Sequence, residues 1–412
     1  MKTAAVIAEF NPFHNGHAYL ARMARSLTGA DFVIAVMSGD FVQRGEPAVL
    51  DKYTRTRMAL LGGFDMVIEL PVFGSCASAE HFAASAVSIL DRMGCADYLC
   101  FGCETDDPAL LERTADVLAS EPEDYRKVLR SETAQGSSFP AARAQAVRAV
   151  LGPEAAEMLH HPNNILAAEY LKALRRRKST IKAVPVRRTG SHHDSPIPDG
   201  HYMSAAAIRA LLIGGSGAAR QKLLSFIPPA SYQVLENAMQ STACLQLSDF
   251  SALTAAQLLL QRGRLEDYCD ISPEIANRIR NLLPQFTDAQ SFLDLLKTKN
   301  YTRARLARCL LSVLLGRTKE TQQRWKASGY LCTPQVLGFN REAGVLFGRM
   351  APDFTYTASP LAADGKPADQ MNPLSVRLFR QTILASELYR QTAQQKSGRV
   401  QPEILRRGII TI

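Results

Sequence analysis

Apolar positions in the first hundred residues come in two spacings. Short continuous runs at Ala4 to Ala8, Phe32 to Met37, Met66 to Leu70 and Tyr98 to Phe101 read as buried strands. The stretches between them, Gly16 to Leu27, Lys52 to Leu61 and Ala79 to Met93, carry helical periodicity. Strand and helix therefore alternate, which predicts an α/β domain built on a parallel sheet. Ser38 to Pro47 is rich in turn residues and reads as a loop, and the fourth strand ends at Gly102 before the polar Glu104-Thr105-Asp106.

Further along, a helical insertion runs to about Leu159, a helix covers Asn164 to Leu174, and a strand is expected from Ile181 to Val186. The α/β pattern is expected to end near Leu212, with Gly214-Gly215-Ser216-Gly217 as linker, because that composition offers no packing face. This divides the chain into a nucleotide-binding domain over residues 1–212 and a mainly α-helical domain over 218–412. In the second part Leu306, Leu310, Val313 and Leu314 define one apolar helix face. Arg305 and Arg308 fall opposite, as a solvated face or as an RNA-contacting one.

Composition changes this picture little. The 412 residues suffice for two domains, and 46% hydrophobic with 21% charged residues is ordinary for a globular chain. A net charge of +9 favours phosphate-rich partners. No apolar run has the length of a membrane span, and the start runs into Glu9 without a cleavage pattern, so a cytoplasmic protein with no membrane partner is expected. The eight cysteines are scattered, as expected of free thiols in a reducing compartment. Cys100 and Cys103, with Cys95 upstream, lack the second ligand pair of a zinc site, and no metal site is assigned.

The chemistry concentrates near the N-terminus. There is no Gly-x-x-x-x-Gly-Lys-Ser/Thr loop and no Gly-x-Gly-x-x-Gly turn. Instead the first strand passes through Ile7-Ala8-Glu9-Phe10-Asn11-Pro12-Phe13-His14-Asn15-Gly16-His17 into a helix. Histidines three apart at a helix start share one face and point, with the positive helix end, at one spot. That spot suits the α-phosphate of ATP, whose developing charge imidazole donors can stabilise during in-line displacement. Gly16 lets the backbone approach the nucleotide. An isolated His-x-x-His would be a surface pair, but its place at the carboxyl end of a first parallel strand, where open sheets bind ligands, marks a site.

This stretch resembles the His-Ile-Gly-His-type nucleotidyltransferase superfamily, with its Rossmann-like fold. Met37-Ser38-Gly39-Asp40-Phe41-Val42-Gln43-Arg44-Gly45-Glu46-Pro47, Pro162-Asn163-Asn164 and Tyr301-Thr302-Arg303-Ala304-Arg305 make the chain look like the tRNA(Met) cytidine acetate ligase family, over most of its length and most strongly before Leu212. The resemblance implies that ATP and acetate form acetyladenylate, which acetylates N4 of the wobble cytidine of elongator tRNA(Met). It implies His14 and His17 as catalytic residues. Its ATP contacts fall on Ile7, Ala8, Glu9, Phe10, Asn11, Pro12, Phe13, His14, Asn15, Gly16, His17, Ala18, Tyr19 and Leu20, then on Gly102, Asn163 and the pair Arg187 and Arg188. Magnesium is compatible with the triphosphate, and no protein partner is evident. A nucleotidyltransferase acting on a small phosphorylated metabolite is the alternative enzyme, although a basic helical domain is superfluous for a metabolite and useful for a folded RNA. An RNA-binding protein without turnover is the non-enzyme alternative, against which intact His14 and His17 argue.

Further residues carry expectations of their own. Asp40 stands where asparagine is common in the family, with Arg44 as its natural partner. One of Asn163 and Asn164 is expected to cap the helix that follows. Ser204-Ala205-Ala206-Ala207-Ile208-Arg209 resembles the second phosphate-facing signature of the superfamily, although a capped helix predicts it equally well. Arg175-Arg176-Arg177-Lys178 is either a contact for the tRNA backbone or a basic helix end favourable for the dipole. His192-His193-Asp194, ahead of Pro196, reads as a turn outside the site.

Overall fold

The computed structural model describes residues 1–187, 200–354, 356 and 372–412. Its main sheet joins β1 (Thr3–Ala8), β2 (Phe32–Ser38), β5 (Met66–Leu70), β6 (Tyr98–Cys103), β7 (Lys182–Arg187), β8 (Val336–Phe339) and β9 (Ile410–Thr411) in the order β7-β6-β1-β2-β5-β8-β9. The strands from β7 to β5 run parallel, with β1 paired to β2 from Thr3↔Phe32 to Ala8↔Met37, and β8 lies antiparallel on β5. Both faces are covered, which is why the inner strands read as unbroken apolar runs. Two short strands, β3 (Phe41–Val42) and β4 (Glu46–Pro47), form a hairpin inside the expected loop after β2.

The helices that position the site are α1 (Asn15–Thr28), α2 (Lys52–Leu61), α3 (Ala79–Met93), α4 (Phe139–Leu151), α5 (Pro162–Arg177), α6 (Ala205–Gly214), α7 (Arg303–Leu314) and α8 (Pro373–Ser397). Their ends follow local chemistry. Asp51 caps α2 by accepting from the amides of Tyr53 and Thr54, and Gly29 and Gly94 close α1 and α3 in left-handed conformations. No helix among the described residues is long and apolar enough to cross a membrane.

The α/β pattern does not end near Leu212. Two strands, β8 and β9, return to the main sheet from beyond it. Nor do the expected linker glycines separate cores, because Ile208 and Leu212 before them and Leu223, Ile227 and Leu235 after them pack in one cluster with Ala4 and Val6 of β1. The sequence signal was weak for a physical reason. Four residues in β8 and two in β9 are too few to show a strand period among the helices around them.

Candidate active site

Beyond β1 the chain turns sharply. Phe10 takes a left-handed φ of 47°, the Asn11–Pro12 peptide is cis, and Phe10, Phe13 and Phe64 pack edge to face beneath the turn. Phe13 occupies the space that a side chain at Gly62 would need, so only glycine fits there. The Asn11 side-chain carbonyl accepts from the Val49 amide at 2.8 Å. These contacts deliver His14 to the N-cap of α1, where its Nδ1 accepts from the Gly16 amide at 3.0 Å. His17 Nδ1 accepts in turn from the His14 amide at 3.2 Å, closing a capping box made of two imidazoles whose ring centres lie 3.9 Å apart. With both Nδ1 atoms acting as acceptors, each neutral ring carries its proton on Nε2. The pair thus joins two Nε2–H donors to the positive end of a helix.

The two histidines open into a cavity of about 830 Å³ at the carboxyl ends of β1 and β6, on the two sides of which the strand order diverges. Ile7, Ala8, Glu9, Phe10, Asn11, His14, Gly16, His17, Tyr19, Leu20, Gly102, Asn163 and Arg187 all line it. Pro12, Phe13, Asn15 and Ala18 do not. Pro12 and Phe13 build the turn, Ala18 packs against the core, and Asn15 donates to the carbonyls of His201 and Ser225 at 3.0 Å, tying down the later segment. Arg188, His192, His193 and Asp194 lie outside the described residues.

Several supports escaped the sequence. Arg55 is fully buried in α2 and donates to the carbonyls of Glu9 at 2.7 Å, Ser38 at 3.0 Å and Gly39, clamping the ends of β1 and β2 together. Glu9 faces the cavity and accepts from the Gln43 amide at 2.9 Å. Burial pushes its carboxyl up, and the neighbouring Arg44 and Arg209 only partly oppose this. Asp40 is not a partner of Arg44 beside a triphosphate. It is buried and accepts from the Lys52 amide at 2.7 Å, above a buried Lys52–Glu69 ion pair of 2.8 Å. Helix starts attract carboxylates, and that local preference prevails over the sequence proximity of Arg44.

Of the two readings of the polar face of α7, solvated or RNA-contacting, the solvated one does not hold for Arg308. Arg308 is only 7% exposed, and its Nε and Nη2 meet the two carboxylate oxygens of Asp270 at 3.1 and 3.3 Å. Arg305 and Arg308 both line the cavity that holds His14 and His17. Gly45 of the β3–β4 hairpin seats this wall, approaching α7 so closely that a β-carbon there would lie 2.5 Å from the Arg308 amide. Partial burial raises the Asp270 carboxyl, but the Arg308 guanidinium outweighs this and holds it below its ordinary value. Leu306, Leu310, Val313 and Leu314 are buried as their spacing predicts. A helical period identifies one core-facing stripe and cannot reveal that a second element covers the polar side.

Asn163 and Asn164 sit inside the first turn of α5, whose cap position belongs to His161. Asn163 donates to Glu104 Oε1 at 2.7 Å and Asn164 accepts from the Glu104 amide at 2.7 Å, so both hold the loop after β6. Ser204 caps α6, and Arg209 donates to the Asn11 carbonyl at 2.9 Å while lining the cavity, so the capped helix also faces the site. Arg175 pairs with Glu112 and Asp116, Arg176 with Glu80 and Glu121, and Arg177 with Asp91. Cys100 and Cys103 are three apart on β6 and so face opposite sides of the sheet. Burial pushes the Cys100 thiol up to about 12.

Comparison with known proteins places this geometry. The family model for HIGH Nucleotidyl Transferase matches residues 1–402. A tRNA(Met) cytidine acetate ligase of Caldicellulosiruptor saccharolyticus is 39% identical over 82% of this chain and 82% of its own. One of Acetivibrio thermocellus is 34% identical over 94% of each. The crystal structure of apo Thermotoga maritima TmcAL superposes over the whole of both chains with a TM-score of 0.93 at 28% identity, and the same protein bound with alpha-thio ATP does so with 0.89.

Proposed function

From the premise that the chain belongs to the tRNA(Met) cytidine acetate ligase family, we propose that it activates acetate with ATP and acetylates N4 of the wobble cytidine of elongator tRNA(Met) in the cytoplasm. The observation that carries the first step is the imidazole capping box, which brings two histidines and a helix N-terminus to one cavity. An acetate oxygen attacks the α-phosphorus, the bond to the bridging oxygen breaks, and pyrophosphate leaves with the electron pair. His14 and His17 stabilise the charge that builds on the α-phosphate oxygens. Gly102 offers bare backbone for the adenosine to pack against, and Asn163 and Arg187 flank the same side. Magnesium would travel with the triphosphate, and no side chain is assigned to it.

In the second step the cytidine amine attacks the acetyl carbonyl, and AMP leaves as the amine loses its proton. An acyl adenylate is already activated, so holding the amine against it supplies most of what is needed. The tRNA is held by the helical part beyond residue 218. The test is incubation with ATP, labelled acetate and total tRNA, followed by nucleoside mass analysis. Acetylated cytidine that requires both ATP and acetate is expected. An adenylated metabolite and unmodified tRNA would overturn the proposal.

A further inference from the structure

Six described arginines line the cavity: Arg44, Arg143, Arg187, Arg209, Arg305 and Arg308. Five of them face a carboxylate. Arg143 meets Glu169 at 2.6 Å, Arg187 meets Asp106 at 2.9 Å, Arg209 meets Glu46 at 3.9 Å, Arg308 meets Asp270 at 3.1 Å, and Arg44 acts on Glu9. Arg305 has no carboxylate at ion-pair distance among the described residues. It is nonetheless fixed, because its Nε donates to the Asp270 carbonyl at 3.3 Å and its guanidinium lies over the Tyr301 ring at 5.2 Å. Asp270 thereby orients both arginines of α7, through its carboxylate for Arg308 and its carbonyl for Arg305.

The position of this cation is informative. The hairpin that seats α7 follows β2, on one side of β1, whereas Gly102 and Arg187 lie on β6 and β7, on the other. In-line displacement at the α-phosphorus requires the attacking group and the leaving pyrophosphate to sit on opposite sides. On the α7 wall Asp270 is taken up by Arg308, so Arg305 is left as a guanidinium without a carboxylate of its own among the described residues, and a monoanion matches its single charge.

Resting on the function proposed above, we propose that Arg305 is the residue that binds the carboxylate of the acyl substrate and holds it for attack. The two Nη groups left by the Asp270 and Tyr301 contacts supply a planar donor pair for that carboxylate. Arg305 touches the substrate, while Asp270 positions Arg305.

The experiment is acetate-dependent exchange of labelled pyrophosphate into ATP, measured without tRNA on the full chain for wild type, Arg305→Ala and Arg305→Lys. Loss of a charge-assisted pair raises the KM for acetate by roughly tenfold to a hundredfold in Arg305→Ala, and Arg305→Lys falls between it and wild type. The KM for ATP stays within about threefold, since the nucleotide is held by the opposite wall. Melting curves establish that the variants are folded, and the split between the two KM values separates binding from a general loss of structure. A rise in the KM for ATP with that for acetate unchanged would make Arg305 a phosphate residue and overturn the proposal. So would unchanged exchange with weakened tRNA binding. Wild-type protein that shows no acetate-dependent exchange would sink the acetate reading itself and this proposal with it.

Discussion

Two groups of arginines look alike in the sequence and differ in the fold. Arg175, Arg176 and Arg177 end α5 at the surface, each meeting carboxylates from other parts of the chain. Arg305 and Arg308 sit on α7 and line the cavity, where Arg308 is buried against Asp270 and Arg305 meets no carboxylate at ion-pair distance among the described residues. The denser cluster is the neutralised one. What a cation does is therefore set by the acids that the fold brings to it and by whether water reaches the pair, and a local charge count contains neither.

The largest difference between the groups is expected in stability. Arg308→Ala leaves the Asp270 carboxylate, only 16% exposed, without its partner, and since breaking a fully buried pair costs about 3–5 kcal/mol, a loss of about 3 kcal/mol is expected here. Denaturant titration should show this loss, and Asp270→Asn in the same chain should recover part of it because the stranded charge is gone. If Arg308→Ala proves no more costly than Arg175→Ala, the two groups are equivalent and the contrast fails. In rate, the standard for the cavity is the histidine pair. His14→Ala or His17→Ala should lower acetate-dependent pyrophosphate exchange by ~10²–10³. Each also removes one half of the capping box, worth about 1 kcal/mol, so the variants should melt slightly early yet cooperatively. Near-normal exchange in either variant would remove that histidine from the mechanism.

The difference also explains what could be read in advance. Strands β1, β2, β5, β6 and β7 and the helices between them were legible because each is long enough to show its period, and the place of His14 and His17 at a helix start was legible because the capping and the helix polarity reside within four residues. β8 and β9 were not, being too short for a pattern. The roles of Asp40, Arg55 and Arg308 were not, because each depends on a partner in another element. Asn163 was placed in the cavity but not as a cap, since proline at position 162 begins the helix one residue earlier than the asparagines suggest.

Acid sharpens the contrast further. Burial alone would raise the Glu80 carboxyl, but Lys172 at 3.0 Å outweighs it and draws it down to about 2 from an ordinary 4.5. A carboxyl lowered by folding contributes stability that is fully present above the unfolded value and is lost as the pH falls from 4.5 towards 2. Glu80→Gln should therefore be less stable than wild type at neutral pH, and the gap should close over that window. Urea midpoints at several pH values read this directly, and a constant gap would mean that Glu80 acts by packing rather than by charge.

The smallest effects belong to the end of α5. Replacing Arg175, Arg176 and Arg177 together with Gln removes pairs that are partly open to water, each worth ~0–1 kcal/mol, so the melting temperature should shift by only a few degrees. The more telling measurement is tRNA affinity as a function of salt. A cation contacting RNA adds about one unit to the slope of log affinity against log salt, because it releases a condensed counterion from the phosphate. A guanidinium already facing Glu112, Glu121 or Asp91 would have to exchange one anion for another, which yields little. The triple variant should therefore keep the wild-type slope to within about one unit. A fall of about three units would show that RNA displaces the carboxylates, making this surface the tRNA contact and cancelling the distinction between a neutralised cluster and an active one.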